Sequence, residues 1–181
     1  MFRRAFGRPL GRRRIGRVHP ALRQANRLMA AGEYDAAAVI YEQIAGGALA
    51  RDGRRAPWFF LQAAQARILA GQVPAGMAHL RQGLSLLAGR GQFDMLTGAG
   101  RRFVAELKGR SQPVEAKEIE DYLKSILPAG FAGLPAAEVE KHRPVLPTNC
   151  PGCGGPIRSD EVEWVDDVTA ECPYCGSSVR A

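Results

Sequence analysis

Leu28-Met-Ala-Ala-Gly32-Glu-Tyr34-Asp-Ala-Ala37-Ala-Val-Ile-Tyr41-Glu-Gln-Ile44 decides the fold of the longer part of this 181-residue chain. Upstream of Gly32, the residues Ala21, Leu22, Ala25, Leu28 and Met29 recur at three- and four-residue steps, the period of one helix face. Pro20 falls in the first turn, where a missing N–H would have no partner anyway. Downstream, Tyr34, Ala37, Ala38, Tyr41 and Ile44 make a second apolar stripe, which Gly46-Gly47 is expected to end. Two amphipathic helices joined by a short turn form a hairpin that cannot bury its apolar face alone. The stretch therefore predicts further hairpins stacked on the first.

They can be read off the sequence. Residues 48–56 read as a loop, and Pro57 starts a helix with Phe60, Leu61, Ala64, Ile68 and Leu69 on one face. Gly71 breaks it, and Pro74 restarts a helix carrying Met77, Leu80, Leu84 and Leu87. A third, degraded hairpin is expected from Phe93–Leu107 and Pro113–Leu127, with Gly109 lying 38 residues after Gly71. Glu115 and Glu118 near its start and Lys124 near its end suit the dipole of a last helix. Three hairpins over residues 18–127 are about the minimum that buries a continuous core.

The opening stretch resembles a tetratricopeptide repeat. Gly32 stands at the turn, Tyr34 at the plug of the hairpin, Ala37 at the close helix crossing and Tyr41 at the contact to the next repeat. Ile44 stands where a small residue is usual. Gly71, Val73, Gly76 and Leu80 follow the same pattern, offset by 39 residues. The resemblance implies a mainly α chain: an α-solenoid of about three helical hairpins whose first helices line a concave groove for a peptide or partner domain. Asn26 and Gln65, each six residues before a turn glycine, would face that groove, with Arg23 and Gln62, each nine before, as the next candidates. The third-hairpin counterparts would be Phe103 and Gly100. Arginine and amides together suit an acidic peptide, or simply a solvated face.

All four cysteines lie in the last 32 residues, as Cys150-Pro-Gly-Cys153-Gly and Cys172-Pro-Tyr-Cys175-Gly. Each pair can present two thiolates from one tight turn, and two such turns complete a tetrahedron around one metal ion. Residues 148–181 resemble a zinc ribbon, which implies one Zn2+ held by Cys150, Cys153, Cys172 and Cys175. Val162–Val165 and Val168–Glu171 flank Asp166-Asp167 as a strand–turn–strand unit, and Ser177–Val179 can close a small β-sheet. Four thiolates leave no open coordination position, so the expected site is structural. A rubredoxin-like iron site shares the knuckle but needs a different spacing and more aromatics than Trp164 and Tyr174. A thioredoxin-like site would need a βα unit that is not visible, and a disulfide pair would need an exported chain.

Charge is unevenly spread. Residues 1–17 carry Arg3, Arg4, Arg8, Arg12, Arg13, Arg14 and Arg17 with no acid, for +7. Residues 18–110 carry +6 and residues 111–181 carry −6. The arginine- and glycine-rich start reads as a disordered basic arm, or as an electrostatic contact for nucleic-acid phosphates or anionic lipid. Phe2 and Phe6 could then dip into a membrane interface. Residues 150–181 hold two basic and six acidic groups, a poor surface for phosphates that could instead dock on the basic hairpins or on a basic partner. Residues 128–147, with four prolines, read as a linker containing a short helix at Ala136–Lys141.

Catalysis finds little support. His19, His79 and His142 lie in separate segments, and Gly98–Gly100 does not follow a strand as a phosphate loop would. No secretory segment and no membrane-spanning run is expected, and paired metal-type cysteines fit a reducing compartment. The sequence thus points to a cytoplasmic, non-enzymatic adaptor or scaffold with a protein or peptide partner and no small-molecule substrate. The alternative is a nucleic-acid-associated or membrane-surface protein, anchored by the arm at the inner face of a membrane.

Overall fold

The computed structural model describes residues 19–129, 131 and 144–181. The basic arm at 1–17 and the short helix expected at Ala136–Lys141 lie outside the described residues. Six helices come first: α1 (Pro20–Ala31), α2 (Tyr34–Leu49), α3 (Ala56–Leu69), α4 (Val73–Gly89), α5 (Phe93–Gly109) and α6 (Pro113–Ile126). A three-stranded antiparallel sheet follows, β1 (Glu163–Trp164), β2 (Thr169–Glu171) and β3 (Ser178–Arg180), in the order β1-β2-β3. No described helix is long and apolar enough to cross a membrane.

Four of the five helix connections are the same turn. Gly32, Gly71 and Gly91 adopt left-handed φ values of 80°, 81° and 69°, and Ser111 does so at 58°. In each, the next residue's N–H reaches back to a carbonyl of the last helical turn: Glu33 to Leu28, Gln72 to Arg67, Gln92 to Leu87 and Gln112 to Leu107, at 2.8 to 3.0 Å. This is the bond that closes a helix on a left-handed residue, which glycine adopts without steric cost. The third hairpin therefore turns at Ser111, and Gly109 is the last residue of α5. Correcting that register by two residues replaces Phe103 and Gly100 by Ala105 and Arg102 as the counterparts of Gln65 and Gln62. Phe103 and Gly100 are core residues instead, both buried.

The fifth connection departs from the expected break. Gly46 and Gly47 do not end α2, which continues to Leu49. The chain turns later, at Asp52 (φ 49°), where the Gly53 N–H bonds the Ala48 carbonyl at 2.7 Å. Ala45 is fully buried and Ile44 and Ala48 pack on the core, so tertiary contact outweighs a penalty of about 1 kcal/mol per glycine.

Each helix packs on its neighbours in sequence, and α4 also meets α6. The small residue five positions past each hairpin turn, Ala37, Gly76 and Ala116, is buried, and at Gly76 a Cβ would meet Ile68 and the Ala64 carbonyl of α3. Tyr41, Leu61, Leu80, Leu84, Phe103, Leu107 and Ile119 are the large side chains buried in the helical core. The helix α3 is buried around most of its circumference, with Trp58, Phe59, Phe60 and Leu61 all less than a tenth exposed. One polar knot stitches three helices: Glu42 of α2 accepts from Arg67 of α3 at 2.6 and 2.8 Å and meets His79 of α4 at 2.9 Å. The Arg67 hydrogen bonds hold the Glu42 carboxyl below the usual carboxylate range, against the opposing pull of burial.

Helix packing alone would leave the α3 face that carries Gln62 open. It is covered by the sheet-bearing C-terminal segment.

Candidate metal centre

Cys150 and Cys153 sit on one turn, Cys172 and Cys175 on another, and the two turns are built alike. Gly154 N–H bonds the Cys150 carbonyl at 2.8 Å and Gly176 N–H bonds the Cys172 carbonyl at 2.9 Å. Both glycines are left-handed, at φ 77° and 76°, as the sequence requires of the position after each second cysteine. Cys150 N–H then bonds Gly155, and Cys172 N–H bonds Ser177, which closes each turn. The strands hold the turns together. Trp164 pairs with Ala170, and Ala170 with Val179, so that Ala170 and Val179 face inward with Val162 and Ile157.

The four sulfurs lie within 4.8 Å of one another. Cys150 and Cys175 are 3.7 Å apart and Cys153 and Cys172 3.9 Å. A tetrahedral ion with metal–sulfur bonds of about 2.3 Å requires edges of about 3.8 Å. A disulfide requires a separation of about 2.05 Å, and all four cysteines are free thiols. Backbone amides already point at the sulfurs, Gly152 N–H to Cys150 and Gly155 N–H to Cys153, each at 3.4 Å. Ser177 Oγ lies 3.2 Å from Cys175 Sγ. Such donors stabilise thiolate charge. The Cys172 thiol is pushed up, first by its hydrogen bond with Cys153, then by Cys175 and burial. Cys175 is pushed down because Cys153 and Cys172 donate to it. Four thiolates at this separation repel one another until a cation binds them. The four cysteines could hold one structural metal ion.

The cysteine-bearing segment is seated on the helices by its two turns. Asn26 of α1 donates its side-chain amide to the Cys153 carbonyl at 2.7 Å, and Tyr41 of α2 donates its hydroxyl to the Asn26 Oδ1. Gln62 of α3 donates to the Tyr174 hydroxyl at 2.8 Å. All five residues in these bonds are buried, Asn26 9 %, Gln62 2 % and Tyr174 3 % exposed. Burial pushes the Tyr174 phenol up to about 12.

Charge adds to the seating. Arg54 meets Glu163 at 3.0 Å and Glu171 at 3.2 Å, and Arg55 meets Glu171 at 2.7 Å. Deeper in, Glu161 is 2 % exposed and is paired with Arg102 of α5 and with Arg158 at 3.6 Å. Arg102 also lies over the Phe103 ring, 5.1 Å from its centre. Burial, followed by repulsion from Arg158, lowers the Arg102 guanidinium to about 10. The acidic segment thus docks on the basic hairpins.

This outcome divides the expected groove residues. Asn26 and Gln62 hold the chain's own C-terminal segment, and their amides are spent on it. Gln65 is half-buried and Arg23 is exposed. Arg102 occupies the place in α5 that Gln62 occupies in α3, nine residues before the left-handed turn residue. That signal was masked because the turn residue is Ser111. Tyr174 stands at the variable position of its knuckle, where no local pattern marks a buried anchor. Arg54, Arg55, Glu161 and Glu171 are ordinary surface types whose pairing depends on the docking.

Comparison with protein families, curated proteins and solved structures returns no match.

Proposed function

We propose that the protein is a non-enzymatic adaptor: three tetratricopeptide-like hairpins that carry a zinc ribbon as a second, rigidly attached module. The observation behind this reading is the seating of the metal segment through its own knuckles, by way of Asn26–Cys153 and Gln62–Tyr174. A centre in which every position is taken by cysteine supplies folding energy and offers no site to a substrate. Zinc is the ion that best suits four thiolates at tetrahedral spacing without redox chemistry. Free cysteines fit a reducing compartment, which favours the cytoplasm.

The partner in this reading is a protein. The occupied groove narrows the search for its docking surface to the edges that the ribbon leaves open. Elemental analysis of the purified protein should give one zinc per chain and a colourless solution. Iron, or no metal, would overturn the zinc assignment. The adaptor reading itself is tested by quantitative co-purification from the native cell, comparing the full chain with Cys172→Ser. It predicts a defined partner set that changes when the ribbon is lost, and it fails if neither form retains any protein.

A further inference from the structure

The groove is closed over α3 and α5, but it opens again at its α1 end. There Arg23, Asn26, Arg27 and Ala30 form one wall, and the first knuckle, Pro151 to Gly154, forms the other. The cleft between them has a volume of about 460 Å³. Its two arginines differ from the other arginines of this face. Arg54, Arg55 and Arg102 are each paired with a glutamate of the ribbon. Arg23 and Arg27 are exposed, and neither forms an ion pair or a side-chain hydrogen bond among the described residues. Four residues apart on one helix, they project on the same side and can grip one anionic group together.

The chain itself shows which chemistry suits this surface. What the hairpins hold is an acidic polypeptide, engaged by Arg54, Arg55 and Arg102 through its glutamates. The cleft offers two further arginines next to that seat, both unused. Its lining contains no aromatic side chain on which a nucleic-acid base could stack.

We propose that the cleft between α1 and the first knuckle binds a short carboxylate-rich peptide segment through Arg23 and Arg27, and that the bound metal makes the site by fixing its second wall. This rests on the adaptor reading and assigns its docking surface. Asn26 ties the two walls together, because its amide holds the carbonyl of Cys153, itself a metal ligand. Without metal the knuckle loses its shape, the Asn26 contact goes and half of the cleft is gone, while α1 persists.

The test uses the full zinc-loaded chain and a fluorescein-labelled hexaglutamate peptide, followed by anisotropy and by NMR shift mapping. Binding should perturb residues 23–30 and 151–154. It should weaken at least tenfold in the exposed-residue variant Arg23→Ala/Arg27→Ala, and equally after zinc is removed by chelator with the helical signal intact. A variant with all seven arginines of residues 1–17 changed to glutamine should keep the mapped site. Shifts confined to 1–17, wild-type binding by the double variant, binding indifferent to zinc, or tighter binding of an oligothymidylate in the cleft would each overturn the proposal. Any of these would leave the adaptor reading standing. An intact cleft response with no co-purifying protein would count against the adaptor reading alone.

Discussion

The two knuckles have one backbone and two fates. Both are Cys-Pro-x-Cys-Gly turns with the same closing bonds and the same left-handed glycine. They differ at the third position. In the second knuckle it is Tyr174, which fills the groove and bonds Gln62. In the first it is Gly152, with nothing to insert, and that knuckle touches the helices through a main-chain carbonyl while Pro151 stays exposed. One side chain makes an anchor of one knuckle, and its absence leaves the other as a rim. A metal ion held by all four cysteines would need both knuckles, whereas docking depends chiefly on the second.

The largest test of that comparison treats the knuckles as equals. Cys150→Ser and Cys172→Ser should both abolish metal binding and unfold residues 148–181, forfeiting on the order of 10 kcal/mol of metal-coupled folding. Circular dichroism should show α1 to α6 nearly unchanged in both. Collapse of the helices would mean that the ribbon is part of their core and not seated upon it.

Changes at Tyr174 should separate docking from metal binding. Tyr174→Ala should weaken the folded state by about 3–5 kcal/mol, as for other large buried rings, with zinc still bound at one per chain. Tyr174→Phe should cost about 1–3 kcal/mol by stranding the Gln62 amide. The same phenol gives a pH signature. Its folded-state pKa lies above the ordinary 10, at about 12, so its contribution is complete below pH 10 and declines as pH rises through 12. The urea midpoint of Tyr174→Phe should therefore fall less steeply over that range. Tyr41, also raised by burial, leaves the variant some slope. Parallel slopes in the two proteins would remove Tyr174 from the account.

At the first knuckle the effects are smaller. Asn26→Ala strands the Cys153 carbonyl and the Tyr41 hydroxyl and should cost about 2 kcal/mol in thermal or urea unfolding. Smallest of all is Arg54→Ala. Arg54 is largely exposed, so breaking its pairs with Glu163 and Glu171 should change stability by less than about 1 kcal/mol, and less again in high salt.

The sequence carried the local half of this structure. Cysteine spacing and the following glycines were legible because a tetrahedral thiolate site and a left-handed turn are each specified within five residues. Gly32 and Gly71 marked their hairpins for the same reason. Ser111 did not, because a left-handed serine has no sequence signature, and Gly109 draws the expected turn two residues too early. Gly46-Gly47 misled in the other direction: helix propensity argues for a break, but burial of Ala45 carries α2 through it. The docking was the least legible part. Asn26 meets a residue 127 positions away and Gln62 one 112 away, and no periodicity links such pairs. Only the charge contrast hinted at it, an acidic tail on basic hairpins, and that could equally have meant a separate basic partner.

A metal ion bound by both knuckles would hold the C-terminal segment against α1 and α3 through Asn26 and Gln62. The most direct measurement follows the side-chain amide resonances of Asn26 and Gln62 by ¹⁵N NMR while zinc is withdrawn with a chelator. With metal bound, both should be shifted from free-amide positions and exchange slowly with water. On chelation both should move together to free-amide positions while the backbone amides of α1 and α3 stay dispersed. Side-chain amides that do not respond to metal removal would contradict the account, because Asn26 and Gln62 would then owe their burial to something other than the ribbon.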